Sequence, residues 1–160
     1  MRSERSGPQR ERVPTLLEPL VCDASVMLSL LMSDEASWYG SEIAAASSQG
    51  RLHAPAIWPA EVLNSLRSNV LRERLDPRDV DAALEQLLRV RCQVAEAPPM
   101  TDSNRWLKDV AIEGGCSGYD ASYLLLAARL EAVIATRDTN LRRVAGLLDL
   151  PCLPLSGASD

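Results

Sequence analysis

Residues 117–138, SGYDASYLLLAARLEAVIATRD, predict a helix followed by a short buried strand, with an aspartate beside each element. Apolar side chains recur at helical spacing after Asp120, and the small and β-branched residues at 132–136 are typical of a strand. Asp138 lies just past that strand. In an open α/β sheet the carboxyl ends of strands and the amino ends of helices share one edge, where ligands bind. We therefore expect Asp120 and Asp138 on that edge.

The composition indicates a single domain with a net negative charge. At 160 residues and 46% hydrophobic content, the chain is long enough for one buried core and short for two domains. The formal net charge of -5 argues against a protein that holds nucleic acid by overall positive charge, although a local basic patch is compatible with it. Residues 1–15 are polar and lack periodicity, so we expect a flexible N-terminal extension followed by one domain over residues 16–160.

The cysteines and the histidine limit the kinds of site that the chain can form. Four cysteines are spread along the sequence without a C-x-x-C pair, which favours reduced thiols over disulfides or a zinc site. The single histidine, His53, makes a histidine-rich zinc site impossible. No apolar stretch is long enough to span a bilayer, because charged residues interrupt the longest candidate. We therefore expect a soluble, cytoplasmic protein that does not associate with membranes.

Strand and helix patterns alternate along the whole chain. Short apolar runs bounded by acids, prolines or glycines predict strands, and longer runs with apolar side chains at helical spacing lie between them. This alternation is typical of an α/β fold in which helices cover both faces of a mostly parallel sheet. The expected strands, about five in number, are residues 20–22, 52–57, 93–95, 132–136 and 151–155.

Four acids share one position relative to these elements. Asp23, Glu61, Asp120 and Asp138 each lie just past a predicted strand or in the first turn of a helix. Any one of them alone is well explained as a helix cap, because carboxylates bind free backbone N–H groups at helix starts. Four carboxylates on one edge repel each other, however, and no lysine lies beside them in the sequence. A divalent cation bound by oxygen ligands, Mg²⁺ or Mn²⁺ rather than Zn²⁺, resolves that repulsion.

A carboxylate-bound Mg²⁺ or Mn²⁺ ion with open positions for water is suited to the hydrolysis of phosphodiesters. The metal lowers the pKa of a bound water and offsets charge on the phosphate. The hydroxyls of Ser25, Ser122 and Thr136 lie near the acids in sequence and can hydrogen-bond a carboxylate or the attacking water, or cap a helix locally. Arg137 and Arg142 are candidates for contacts with substrate phosphates, because both lie close in sequence to an acid, and Ser25 and Thr136 are further candidates for substrate binding.

Four short motifs carry a resemblance to a known family. The motifs are Asp-Ala-Ser at 23–25, Pro-Ala-Glu-Val-Leu-Asn-Ser-Leu at 59–66, Tyr-Asp-Ala-Ser-Tyr-Leu at 119–124 and Thr-Arg-Asp at 136–138. They resemble the acidic motifs of the PIN-domain ribonucleases, in particular the VapC toxins of bacterial toxin–antitoxin pairs, and the resemblance spans about residues 20–155. One departure concerns residue 140, an asparagine where many relatives carry a further acid, which leaves the number of metal ions open.

The resemblance implies a fold, an activity and partners. It implies a PIN-like three-layer α/β/α sandwich and an Mg²⁺- or Mn²⁺-dependent endoribonuclease. It also implies a homodimer and a cognate VapB-like antitoxin whose tail occupies the acid cleft, with DNA contacted only through that antitoxin. Carried over residue by residue, the metal-binding and catalytic acids are Asp23, Glu61, Asp120 and Asp138.

Two other functions are compatible with parts of the pattern. In a non-catalytic α/β interaction module the same acids act only as helix caps, and the sequence alone does not separate this hypothesis from the nuclease. An acidic phosphoacceptor domain needs a lysine near the acids, whereas the one lysine of this chain, Lys108, lies on a predicted helix. We therefore favour the nuclease, keep the interaction module as the alternative, and set the phosphoacceptor aside.

Overall fold

The computed structural model describes residues 18–31, 38–99 and 102–153. Within these ranges five short strands form one sheet with the order β3-β2-β1-β4-β5, and every strand pair is parallel. This confirms the predicted parallel sheet. The strands are β1 (Leu20–Cys22), β2 (Leu52–Ala54), β3 (Gln93–Val94), β4 (Val133–Ala135) and β5 (Cys152–Leu153).

Helices connect the strands and pack in two groups. The first helix packs against the third and fourth, and the fifth packs against the sixth and seventh. All side chains of β1 and β4 are buried, and since neighbouring side chains of a strand point to opposite faces, both faces of the sheet are covered. The predicted three-layer α/β/α sandwich is confirmed. The helices are α1 (Ala24–Leu31), α2 (Trp38–Ser48), α3 (Trp58–Leu71), α4 (Val80–Arg89), α5 (Asp102–Gly114), α6 (Gly118–Leu130) and α7 (Thr139–Leu147).

Several boundaries differ from the sequence prediction for local reasons. β2 ends at Ala54 rather than at residue 57, because Pro55 has no N–H group with which to continue the ladder. Gly114 still belongs to α5 and Gly118 already begins α6, so residues 115–117 connect these two helices. The predicted extension over residues 1–15 and the end of the last predicted strand at 154–155 lie outside the described residues.

The four cysteines are thiols, as predicted. All four are free; Cys22 is buried and the other three are half-buried. Burial raises the pKa of the Cys92 thiol to about 12, and it raises that of Cys22 well above the ordinary value, so both stay protonated at neutral pH. The described helices include none that is both long and apolar enough to cross a lipid bilayer.

Candidate active site

Neighbouring central strands place two of the predicted site residues opposite each other. β1 and β4 pair in register, with Cys22 opposite Ala135, so Asp23 and Thr136 leave the sheet side by side. The backbone N–H of Asp23 donates to the carbonyl of Ala135 at 2.9 Å, which extends the ladder by one bond. The carboxyl ends of both strands therefore form the edge on which the acids were expected.

Thr136 connects two of the acids from inside the core. Its side chain is fully buried, and Oγ1 donates to Oδ2 of Asp23 at 2.7 Å. The same oxygen accepts the backbone N–H of Asp138 at 3.0 Å. Ser25 adds a second hydroxyl, which donates to Oδ2 of Asp23 at 2.8 Å, and its N–H donates to Oδ1 at 3.2 Å. The prediction that these hydroxyls hydrogen-bond a carboxylate is confirmed for Ser25 and Thr136.

Ser122, the third hydroxyl considered, serves its own helix. Its Oγ donates to the carbonyl of Gly118 at 3.0 Å, four residues earlier in α6. This is the local bond by which serine competes with the backbone inside helices. Within the described ranges, no acid accepts a hydrogen bond from the Ser122 hydroxyl.

Asp120 and Asp138 both cap helices with one carboxylate oxygen. In the capping box of α6, Oδ2 of Asp120 accepts the N–H and the hydroxyl of Ser117 at 3.0 and 2.8 Å. At the start of α7, Oδ1 of Asp138 accepts the N–H of Leu141 at 2.7 Å. The other oxygen of each carboxylate accepts no hydrogen bond from the described part of the chain. Capping thus holds both side chains in place and leaves one oxygen of each for another ligand.

Glu61 lies in the first turn of α3 and reaches toward the other acids. It is half-buried, and its Oε2 accepts a hydrogen bond from the hydroxyl of Tyr123 in α6. Burial raises the pKa of Glu61; the hydrogen bond from Tyr123 opposes this rise, and the negative charges of Asp23 and Asp120 add to it. Glu61 is therefore close enough to Asp23 and to Asp120 for their charges to disfavour its ionised form.

The donor set fits a hard divalent cation in its chemistry. Carboxylate oxygens are the ligands that Mg²⁺ and Mn²⁺ prefer, and a cation offsets the repulsion that Glu61 experiences. Asp138 joins the group indirectly, through Thr136 and its bond to Asp23. Among the described residues no three acidic, histidine or cysteine side chains already converge as metal ligands. Binding an ion would therefore require the carboxylates to move closer together. The positive charge of the ion would offset the repulsion between them.

The two predicted phosphate-binding arginines have different surroundings. Arg137 is exposed directly before Asp138. Arg142 is half-buried, and its Nη1 donates to the carbonyls of Leu153 at 2.7 Å and Thr136 at 3.3 Å. Arg142 thus ties α7 to the ends of β4 and β5.

Sequence reasoning missed two polar contacts near the acids. The first is the bond from Tyr123 to Glu61, since the sequence pattern places Tyr123 among the apolar positions of its helix. The second is a network in which Arg143 donates to Oδ1 of Asn140 at 2.8 and 3.1 Å, while Nδ2 of Asn140 donates to the carbonyl of Gly115 at 3.1 Å. The three-residue spacing of Asn140 and Arg143 on α7 is the signal that could have indicated the second contact.

Asn140 occupies the position at which a further acid was considered. Its amide is engaged on both sides, by the guanidinium of Arg143 and by the loop that precedes α6. Arg143 also donates to the carbonyl of Gly114, so the start of α7 is tied to the connection between α5 and α6. The Asn140 and Arg143 side chains together therefore hold in place the loop that leads to Asp120.

An apolar cleft of about 480 Å³ opens beside this edge. Its walls come from the segments after β2 and β3 and from one face of α6, including Tyr119 and Ser122 on either side of Asp120. The few polar groups in the lining offer burial for an apolar group rather than ligands for a metal ion.

Comparison with known proteins agrees with this arrangement. The family model described as "PIN domain" matches residues 20–147. Two relatives are the "VapC ribonuclease Mb0985" of Mycobacterium bovis and the "Ribonuclease VapC9" of Mycobacterium tuberculosis. Each is 32% identical over 123 residues, which cover 76% of this chain and 87% of the relative.

Solved structures show the same fold. PAE2754 from Pyrobaculum aerophilum superposes with a TM-score of 0.60 at 26% identity, over 79% of this chain and 86% of that one. FitAcB from Neisseria gonorrhoeae gives a TM-score of 0.53 at 17% identity, over 83% of this chain and 95% of that one, and supports the fold alone. With its parallel sheet, its acid-bearing edge and these relatives, the chain belongs to the PIN-domain family and, within it, to the VapC ribonucleases.

Proposed function

We propose that this protein is a VapC-type toxin, an endoribonuclease that hydrolyses RNA phosphodiester bonds with Mg²⁺ or Mn²⁺. The observation that carries the proposal is the group of Asp23, Glu61 and Asp120 at the carboxyl edge of the sheet, where the charges of Asp23 and Asp120 both act on Glu61. Asp138 completes the set of metal-binding and catalytic acids through its link to Asp23. The bound metal would supply a water of lowered pKa and charge stabilisation at the phosphate.

The residues around the acids orient them for this task. Hydrogen bonds from neighbouring residues fix the orientation of metal ligands and are needed for metal affinity almost as much as the ligands themselves. Thr136 and Ser25 hold Asp23, Ser117 holds Asp120, and the start of α7 holds Asp138. The bonds of Ser25 and Thr136 to Asp23 favour this supporting role over the direct substrate contact that we considered from the sequence.

Arg137 is the better candidate for a substrate phosphate. It is exposed and stands beside Asp138, where a phosphate bound at the metal would lie. Arg142 is engaged with two backbone carbonyls, so we assign it to the support of the segment that carries Arg137. The net charge of -5 means that local cations of this kind, rather than overall charge, must attract RNA.

The family relationship extends the proposal to partners and location. Relatives named VapC ribonucleases support a cognate VapB-like antitoxin that neutralises this protein, with DNA bound only through the antitoxin. A homodimer in the cytoplasm completes the proposal. Light scattering of the purified protein, alone and with its antitoxin, measures the two assemblies.

The alternative is a non-catalytic interaction module. Its specific support is that Asp120 and Asp138 cap α6 and α7, which is a sufficient structural reason for an acid at both positions. The position of Glu61 in the first turn of α3 is also compatible with this alternative, but its half-buried carboxylate is disfavoured by two neighbours of the same charge. That cost is expected of a ligand site and not of a cap.

Cleavage of bacterial RNA by the purified protein, free of antitoxin, tests the proposal. Gels are compared with Mg²⁺, with Mn²⁺ and with EDTA, for the parent protein and for Asp120→Asn. Asp81→Asn is the matched control, because Asp81 also lies in the first turn of a helix but outside the site. We expect discrete products that require metal and decrease at least about 100-fold in Asp120→Asn alone. Cleavage that persists in EDTA, or no cleavage by the folded protein, contradicts the proposal.

A further inference from the structure

The hydroxyl of Tyr123 connects two helices at the acid site. Its ring is buried in α6 with 1% of its surface exposed, and the hydroxyl donates to Oε2 of Glu61 in α3. Asp120 lies on the same helix as Tyr123. One buried group therefore contacts one of the acids directly and belongs to the helix that carries another.

We propose that Tyr123 is a positioning residue for the metal site, which it serves by holding Glu61 against the repulsion of the other carboxylates. The inference rests on the function proposed above. Tyr123 itself contacts neither the metal nor the RNA in this scheme. It acts through Glu61, because its hydroxyl binds Oε2 and leaves Oε1 for a metal ion.

The difference in mobility between the Glu61 and Tyr123 side chains supports the positioning role of Tyr123. Glu61 is only half-buried on a flexible stem, and the nearby charges of Asp23 and Asp120 favour rotamers that point away from the site. The Tyr123 ring is immobilised by the core, so its hydroxyl occupies a fixed point in space. A rigid donor that binds a mobile acceptor selects the rotamer in which Glu61 stays at the site.

The position of Tyr123 on its helix gives a second argument. It follows Asp120 by three residues, so the two side chains share one face of α6. The helix thus supplies one acid directly and fixes another across the interface with α3. A phenylalanine would fill the same space in the core, and only the hydroxyl explains the contact with Glu61.

Mn²⁺ binding to the metal-free full-length protein tests the inference without reference to cleavage. Free Mn²⁺ is followed by electron paramagnetic resonance for the parent protein and for Tyr123→Phe. Tyr119→Phe is the control, because Tyr119 lies one turn away on α6 with 61% of its surface exposed. We expect Tyr123→Phe to weaken Mn²⁺ binding about tenfold and Tyr119→Phe to leave it unchanged. Thermal unfolding confirms that each variant folds, and Tyr123→Met replaces Tyr123→Phe if the latter does not.

A double-mutant cycle separates positioning from a general effect on the fold. If Tyr123 acts through Glu61, Tyr123→Phe has no further effect on the residual Mn²⁺ affinity of Glu61→Gln, measured at millimolar Mn²⁺. Equal losses in both backgrounds, or parent-like binding by Tyr123→Phe, overturn the inference and leave the nuclease proposal intact. A parent protein that binds no Mn²⁺ overturns the proposed function itself, and the inference with it.

Discussion

The hydroxyl of Thr136 donates to the carboxylate of Asp23 at 2.7 Å, across 113 positions of sequence. The bond exists because β1 and β4 are adjacent and in register, which brings the residues after both strands together. It also completes a chain of contacts, since the same hydroxyl accepts the N–H of Asp138. The sheet topology thereby links the first and the last acid of the sequence.

Removing the Thr136 hydroxyl therefore has two expected effects. Thr136→Val keeps the shape but leaves the partly buried N–H of Asp138 without its acceptor, so the free energy of unfolding decreases by about 0.5–1.5 kcal/mol. RNA cleavage also decreases, because Asp23 loses a donor. Thr136→Ser retains the hydroxyl and keeps most of the activity. Chemical unfolding and cleavage rates measure both effects, and a Val variant as active as the parent contradicts the role assigned to Thr136.

Glu61 gives a prediction about pH. Its folded-state pKa lies above the ordinary value of 4.5, so the ionised side chain destabilises the metal-free fold. This destabilisation develops as pH rises from 4.5 through the folded-state pKa. Glu61→Gln removes it, so the variant gains stability relative to the parent over that interval, by less than about 1 kcal/mol because solvent screens a half-exposed group. Urea unfolding at pH 4 and pH 8 in EDTA measures this difference in unfolding free energy. If the parent becomes more stable relative to Glu61→Gln between pH 4 and pH 8, the predicted direction is wrong.

Asp138 allows capping to be separated from catalysis. Asparagine caps helices about as well as aspartate, so Asp138→Asn should change stability little, whereas Asp138→Ala should cost about 1 kcal/mol. If Asp138 also serves the metal, both variants lose RNA cleavage to a similar extent. Thermal unfolding and the cleavage assay are measured together. Full activity in Asp138→Asn would assign the residue to capping alone.

The two arginines should respond differently to truncation. Arg142→Ala leaves the carbonyls of Thr136 and Leu153 without a charged donor, and we expect a loss of about 1.5–3 kcal/mol in unfolding free energy. Because Arg137 is exposed, Arg137→Ala should cost less stability than Arg142→Ala, and it should weaken RNA binding uniformly across sequences. Binding is measured in the Asp120→Asn background at several salt concentrations, where loss of a phosphate contact lowers the salt dependence. If Arg137→Ala leaves the salt dependence unchanged, Arg137 does not contact phosphate.

Local patterns in the sequence were sufficient for much of the fold. The apolar run that ends at Asp23 and the helical spacing after Asp120 predict β1 and α6 closely, because strand and helix periods are properties of neighbouring residues. The same local rules place Asp120 and Asp138 at helix starts, where the structure has them. The predicted end of β2 at residue 57 was wrong, because the strand ends at Ala54. The effect of Pro55 on pairing depends on the neighbouring strand, which the sequence does not show.

The contacts that support the site were harder to predict, since they join distant segments. In the sequence, Tyr123 is indistinguishable from the other apolar positions of an amphipathic helix. Only the packing of α6 near α3 brings its hydroxyl to Glu61, 62 residues away. Periodicity identifies the buried face of a helix but not the side chain that this face meets. Arg142 was assigned to phosphate from its nearness to Asp138 in sequence, whereas the structure shows it on the carbonyl of Leu153.

The most direct test of the central claim is a crystal soaked in MnCl₂ and measured for the anomalous signal of manganese. The account predicts a peak at the carboxyl edge of β1 and β4, with oxygens of Asp23, Glu61, Asp120 and Asp138 closing in to about 2.1 Å or to bridging water molecules. Asp120→Asn should weaken or remove that peak. Absence of a peak between these side chains at saturating Mn²⁺, or a peak bound elsewhere on the protein, would contradict the assignment of the acids as a metal site.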